Sequence, residues 1–413
     1  MARVKPFRAV RPIRDKVSLV TTRSYEFYNK KERNSILKHN PFSFLHILRP
    51  GFKFNQWVTG EERFKMVYNR FCEFKENDIF ISDDKPIFYL HQKTYKQDVF
   101  WGIIALSSVA DYENNVIKRH EKTLKNREEL FGNYLNITGF NAEPVLITYP
   151  DNNLINSIYQ KYKVQRAEYE FTTNKHKTHL LWLIDDDKDI KNIEHEFKNM
   201  NSVYIADGHH RTASSQFLSK KLNTENNTKS EDDRPYNFFM SYLIPESKLK
   251  IYSFNRLVNS LNDLNKKEFL IKLDENFRIE NLGLQLYKPT KKHHFSMYLD
   301  GEYYKLYLRK EKYKITNALD DLDSQLLYKT ILQPILGIDD LSNDDRITYL
   351  PENLNQLQLK NEVDSGKFIV GFELFPVSVS QLKSVADSNL TMPPKSTYIE
   401  PKLRTGLTIF ELK

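Results

Sequence analysis

Apolar positions along this chain repeat with two different periods, and the change from one to the other separates strands from helices. Residues 111–135 carry Tyr112, Val116, Ile117, His120, Leu124, Leu130, Phe131 and Tyr134 near helical spacing, which predicts one or two amphipathic helices closed by Gly139. The short apolar runs 144–149 and 179–184 predict buried strands, the second followed by an acidic turn at 185–187 and a helix over 189–200. Residues 202–206 predict a third strand that stops at Asp207-Gly208. Ala213, Phe217 and Leu218 then give residues 211–222 helical spacing. That makes a strand, a tight turn and a helix.

From 219 to 235 the chain is polar and without aromatics, which predicts a mobile loop before a strand at 238–244. The runs 294–299 and 303–308 flank Asp300-Gly301, a hairpin signal because a type I′ turn needs positive φ at both central residues. Helices are expected at 323–332 and 378–386, with a strand at 368–374. No repeat of solenoid or propeller period occurs. The fold class expected is α/β of mixed α+β character: an N-terminal part, 1–254, with its core at about 105–250, and a smaller α+β domain, 255–413.

Composition removes several alternatives. Of 413 residues, 40% are hydrophobic and 13% aromatic, with 12 glycines and 16 prolines, so disordered and fibrous chains are excluded. The formal charge of +8 is spread along the chain, as in residues 188–198, and forms no stripe. No nucleic-acid partner is therefore expected, whereas an enzyme of anionic metabolites fits. Cys72 is the single cysteine, which excludes a disulfide framework and makes a reducing cytoplasm the expected compartment. The N-terminus mixes arginines, lysines and prolines without an apolar h-region, and no run is long enough for a membrane span.

There is no P-loop, no G-x-G-x-x-G and no H-E-x-x-H. The chemistry-bearing segment is Asp207-Gly208-His209-His210-Arg211-Thr212, where strand meets helix. Its plain reading is an Asp N-cap, a Gly turn and a solvated first turn. Against that, a helix N-terminus disfavours cations, yet two histidines and an arginine crowd this one. A phosphate held by backbone N–H groups, the imidazoles and the guanidinium would relieve the clash, with Asp207 as a Mg²⁺ ligand beside it. A second constellation is His120-Glu121-Lys122-Thr123, where spacing alone makes His120 a core histidine and Glu121 a solvated residue. A third, Met392-Pro393-Pro394-Lys395-Ser396-Thr397 with Pro401-Lys402, reads either as a rigid proline turn or as a Lys/Ser/Thr cluster on phosphate.

Together these three motifs in their order along the chain, His120–Thr123, Asp207–Thr212 and Met392–Lys402, with Gly406 and the opening Lys5-Pro6-Phe7-Arg8-Ala9-Val10-Arg11-Pro12, resemble the domain-of-unknown-function 1015 family across nearly the whole chain. That family resembles the ParB/sulfiredoxin superfamily, whose members include free-serine kinases. The resemblance implies a ParB/sulfiredoxin-like core that cradles nucleotide phosphates. It implies Glu121 as catalytic base for a substrate hydroxyl, Asp207 as metal ligand and His209 as a further catalytic residue. Gly208, His210, Arg211, Thr212, His120, Thr123, Lys395, Ser396 and Lys402 would serve as phosphate- or nucleotide-binding residues.

The function expected is phosphoryl transfer on a small hydroxy amino acid, with serine and O-phosphoserine as the leading pair and Mg²⁺ with ATP or ADP as cofactors. An alternative is hydrolysis of O-phosphoserine, with water as acceptor. An alternative of another class is a nucleotide-gated, ParB-like binding protein. Against that one stand the absence of a helix-turn-helix segment and of a basic stripe.

Overall fold

The apolar run Val145–Tyr149 is buried at every position because it lies inside a sheet and is covered on both faces. The computed structural model describes residues 1–352 and 357–412, and in it the chain divides into two units. The first comprises Met1–Arg119, Thr123–Leu249 and the tail from Pro401. The second comprises His120–Lys122 and Lys250–Glu400. The tail thus belongs with the N-terminal residues, where the sequence reading places everything after residue 254 in a second domain.

The first unit is built on a nine-stranded mixed sheet. Its path runs Tyr169–Thr172, Thr178–Ile184, Phe88–Tyr95, Asp98–Ser108, Phe238–Pro245, Val145–Tyr149, Val203–Asp207 and Ile117–Lys118, with Val4–Lys5 beside Asp98–Ser108. Helices Asn153–Lys163 and Asp187–Lys198 press Ile155, Ile158, Tyr159, Ile193 and Phe197 onto Trp101, Ile103, Ile147 and Ile205 of the sheet. Side chains of this size stabilise by roughly 1.5–3 kcal/mol each when fully buried, so this layer dominates the unit. The strand Val203–Asp207 runs parallel to Ile117–Lys118 and antiparallel to Val145–Tyr149, and a bulge between Ile205 and Asp207 re-aims its last residue. From the tail, Arg404–Thr405 pairs with Thr22–Arg23, and Phe410–Glu411 with Phe140–Asn141.

The second unit carries a six-stranded antiparallel sheet in the order Phe277–Gly283, Glu302–Leu308, His294–Leu299, Val370–Glu373, Phe254–Val258, Ile347–Pro351. Asp300 and Gly301 have φ of 50° and 81°, as the type I′ hairpin requires. The two expected helices are Asp323–Leu327, continued by a π-helical turn over Tyr328–Leu332, and Val379–Asp387, N-capped by Ser378 in a capping box with Gln381; Lys266–Asp274 is a further helix that the sequence reading did not assign. The mixed α/β class expected from the sequence is the one observed.

Two local expectations are corrected. Residues 111–135 hold two helices, Val109–Glu113 and Lys125–Thr138, the second closed by Gly139, but the apolar positions between them are not helical: the chain breaks at Asn115, at φ 58°, and the strand Ile117–Lys118 follows. His120 to Thr123 therefore lie in a linking segment. The loop expected at 219–235 is helical in its first half, since His209–Asn226 is one helix. Its polar residues are packed: Ser219 Oγ donates to Asn237 Oδ1 at 2.7 Å, and Asn223 Nδ2 donates to the same oxygen at 2.8 Å. Asn237 Nδ2 in turn donates to the Lys229 carbonyl at 2.7 Å.

Candidate functional site

The turn from Val203–Asp207 into His209–Asn226 depends on Gly208, which has φ of +100° and takes the N-cap position without any side-chain cap bond. A Cβ there would lie 2.9 Å from Arg211 Nε, so close approach and backbone conformation both select glycine. Asp207 consequently does not cap the helix, contrary to the plain reading of the sequence. Its Oδ2 accepts from Arg211 Nη2 at 3.1 Å, and its Oδ1 from Lys402 Nζ at 3.2 Å.

Arg211 is tied down on its other side as well. Its Nη1 donates to the Pro144 carbonyl at 2.7 Å and lies 2.9 Å from Glu143 Oε1. Burial pulls the guanidinium pKa down, but Glu143, Asp207 and Glu26 outweigh it and hold Arg211 above its ordinary value. The expected clash between cations and the helix N-terminus is therefore answered in part by the protein itself, through Glu143. That residue was not singled out in the sequence, because an acid before a proline at a strand start carries no spacing signal. Thr405 Oγ1 donates to Glu143 Oε2 at 3.2 Å, so the tail braces this carboxylate while supplying Lys402. The Lys402 ammonium also lies 5.8 Å from the centroid of Phe27.

Of the remaining first-unit candidates, His209 is buried and His210 half-buried in the first turn. Thr212 is fully buried, and its hydroxyl donates to the Gly208 carbonyl at 3.3 Å, which commits it to the helix. Thr123 donates to Glu128. The second unit holds His120, Glu121, Lys395 and Ser396. There the Met392 N–H donates to the His120 carbonyl at 2.9 Å, which joins two motifs that 272 residues separate. Ser396 is buried, 2.8 Å from Ser324 Oγ, and donates to the Pro393 carbonyl at 2.7 Å. Lys395, at φ 55°, is exposed with its ammonium 5.5 Å from the Phe254 centroid, and its carbonyl accepts from Arg256 at 3.2 Å. Ser396 is thus part of a turn's internal bonding, as the proline-turn reading expects.

A mixed α/β protein with a cation-flanked carboxylate at a helix N-terminus is the class this geometry defines. The family described as protein of unknown function, DUF1015, matches residues 4–325, and the chain belongs to that family. No curated protein matches it. Solved structures with similarity include a free serine kinase in complex with AMP, at 11% identity and TM-score 0.37 over 78% of this chain and 93% of that one. A variant of a free serine kinase in complex with ADP gives 12% identity and TM-score 0.37 over 78% and 94%. SbnI with a C-terminal truncation, from Staphylococcus aureus, gives 12% identity and TM-score 0.38 over 74% and 85%. Among the described residues, no helix is long and apolar enough to cross a membrane.

Proposed function

We propose that this protein transfers a phosphoryl group between a nucleotide, ATP or ADP, and the hydroxyl of a small amino acid, serine with O-phosphoserine being the leading pair. The observation that carries the reading is the pairing of Asp207 with both Arg211 and Lys402 at the start of a helix. Charges about 4 Å apart near a protein surface attract by about 4 kcal/mol, so each cation holds to the carboxylate until a better anion arrives. A phosphate monoester carries nearly two negative charges and three acceptor oxygens. It competes well for Arg211, which can grip it bidentately, and for Lys402, with the helix N–H groups adding to the pull.

Release of Asp207 from its cations frees a carboxylate beside the phosphate, with Glu143 on the far side of Arg211. Mg²⁺ is commonly held by one or two carboxylates plus phosphate oxygens, and this donor set fits it. The ion supplies charge neutralisation of the transferring group when bound. In the transfer itself the hydroxyl oxygen bonds to phosphorus, the bond from phosphorus to the nucleotide oxygen breaks, and that oxygen keeps the electron pair. Glu121 takes the hydroxyl proton, or returns it in the reverse direction.

The test is a mass measurement. The protein is incubated with Mg²⁺, ATP or ADP, and a pool of hydroxy metabolites and their phosphates, and products are screened for gain or loss of one phosphoryl group. Nucleotide-dependent exchange between serine and O-phosphoserine supports the proposal. Loss of phosphate without nucleotide would make the protein a phosphatase, and no change across the pool would favour a binding protein.

A further inference from the structure

The positive charge of this chain is gathered in one place. Residues 23–70 hold ten lysines and arginines against four acids, six of the net +8, which corrects the even spread read from the sequence and removes that ground for expecting no nucleic-acid partner. The stretch lies in the first unit and folds as the turn Tyr25–Phe27, the helix Lys30–His39, the turn Pro50–Phe54 and the helix Gly60–Glu76. A cleft of about 50 Å³ there is lined by Tyr25, Arg49, Gln56, Trp57 and Arg63 among others.

Two of its rings each carry a guanidinium. Arg49 lies 4.7 Å from the Trp57 centroid, and Arg33 lies 4.6 Å from that of Tyr25. Arg49 Nη1 donates to Asn34 Oδ1 at 3.4 Å and Arg33 Nη1 to the Tyr28 carbonyl at 3.2 Å, while Arg33 Nε is buried without a hydrogen-bond partner. Among the described residues no carboxylate pairs with Arg33, Arg49 or Arg63. The rim of the cleft is Lys53-Phe54-Asn55-Gln56-Trp57, exposed at every position, with Trp57 70% and Phe54 57% exposed. Asn55 at φ 55° and the Gln56 N–H bond to the Gly51 carbonyl, at 2.9 Å, fix the turn that presents these two rings.

A cleft that encloses a small ligand measures roughly 300–1,000 Å³, so whatever binds here lies across the surface. Open aromatic faces suit nucleobases, and unpaired guanidinium groups suit phosphates. Residues 53–57 contain no aliphatic side chain, which disfavours insertion into lipid. We propose that this surface binds single-stranded nucleic acid, with bases stacked on Trp57 and Phe54 and backbone phosphates held by Arg33, Arg49 and Arg63. A duplex keeps its base faces stacked on one another and cannot use the rings. The surface is independent of the phosphotransfer reading.

Fluorescence anisotropy with labelled mixed-sequence oligonucleotides of about 12 nucleotides tests it, as single-stranded RNA, single-stranded DNA and duplex DNA, with phosphatidylserine vesicles as the lipid arm. A single strand is expected to bind at least about tenfold tighter than the duplex and to quench the emission of Trp57, since Trp101 and Trp182 are buried. With three phosphates held, its affinity is expected to fall about twentyfold between about 50 and 200 mM salt. Trp57→Ala is expected to weaken binding by about tenfold, and Trp57→Phe to restore most of it. Arg49→Gln is expected to weaken binding and flatten the salt dependence, and Lys402→Met, at the phosphate turn, to leave it unchanged. Melting curves matching the native one show that each variant is folded. Binding of either single strand with this pattern supports the proposal, and the tighter of RNA and DNA names the polymer. No oligonucleotide binding, equal binding of duplex, binding of vesicles alone, or single-strand binding that survives both Trp57→Ala and Arg49→Gln overturns it.

Discussion

Lys402 reaches across 195 residues of sequence to place its ammonium 3.2 Å from Asp207 Oδ1. The contact is made possible by the tail, whose Arg404–Thr405 and Phe410–Glu411 segments pair with strands of the first unit on either side of Gly406. A lysine near the C-terminus is thereby fixed beside a turn in the middle of the chain.

Lys402→Met keeps most of the side-chain length and removes the charge. The ion pair is partly exposed, at 21% for Lys402 and 40% for Asp207, so its loss is expected to change stability by less than about 1 kcal/mol. Binding of a phosphate ligand is expected to weaken by about tenfold or more, because a charge-assisted contact to phosphate is worth roughly 1.5–3 kcal/mol. Thermal melts and ligand titration check the two numbers separately. A large loss of stability with unchanged phosphate binding would make Lys402 a purely structural residue.

Asp207→Asn separates the proposed metal role from the electrostatic one. Gly208 holds the N-cap position, so no cap is lost. The variant is expected to lose activity and most of its response to Mg²⁺ while folding normally, which a Mg²⁺ titration of turnover and a melting curve measure together. Undiminished activity with the native Mg²⁺ dependence removes Asp207 from the metal site.

The strand, turn and helix at Asp207 and the hairpin at Asp300-Gly301 were legible because each rests on local rules, apolar period and positive-φ residues, that tertiary contacts do not override. Other features were not legible, for specific reasons. The buried network of Ser219, Asn223 and Asn237 looks like a solvated loop to any apolar-period argument, since its packing is made of hydrogen bonds. His120 has helical spacing by coincidence, as the chain breaks at Asn115 and starts again at Lys125. Glu143 could not be found at all, since only the fold brings it within 2.9 Å of Arg211. The electrostatic argument from His209, His210 and Arg211 was incomplete without it.

That acid changes what removal of Arg211 should do. Arg211→Ala leaves Glu143 and Asp207 without their shared cation, so the ligand-free protein is expected to be less stable, not more. Phosphate, ADP or O-phosphoserine at 100 times the dissociation constant should stabilise the native protein by about 2.7 kcal/mol, and Arg211→Ala should abolish most of that gain. Melting curves with and without each ligand, with sulfate as the salt control, decide it. No ligand-specific shift in the native protein would reduce this turn to an ordinary helix start.

Glu121→Gln is expected to keep the fold and the substrate affinity but to lower turnover by about 10² to 10⁴, the usual contribution of a positioned base. Steady-state kinetics in both directions of transfer measure it. Turnover within a few-fold of the native protein would leave Glu121 with no role as base.

The last prediction uses a group in the second unit and needs no ligand. Burial chiefly, and then Glu352 against the opposing pull of Lys288, pushes Glu373 from an ordinary 4.5 up to about 7. Asn255 Nδ2 lies 3.5 Å from its Oε1. An acid with a higher pKa in the folded chain is still protonated there when the unfolded chain has already ionised. Between pH 4.5 and about 7 the unfolded state therefore binds fewer protons, and stability falls as pH rises through that window. The total is on the order of 3 kcal/mol. Glu373→Gln keeps the oxygen that accepts from Asn255 and removes the ionisation. Its stability relative to the native protein should therefore rise from pH 4.5 to 7 and level off above. The buried His91 and His179 act in the opposite sense: their lowered pKa values cost stability as pH falls below the ordinary 6.5, equally in both proteins. Subtraction of the two denaturation profiles cancels that contribution. A difference that stays flat across the window would show that Glu373 is already ionised in the folded chain.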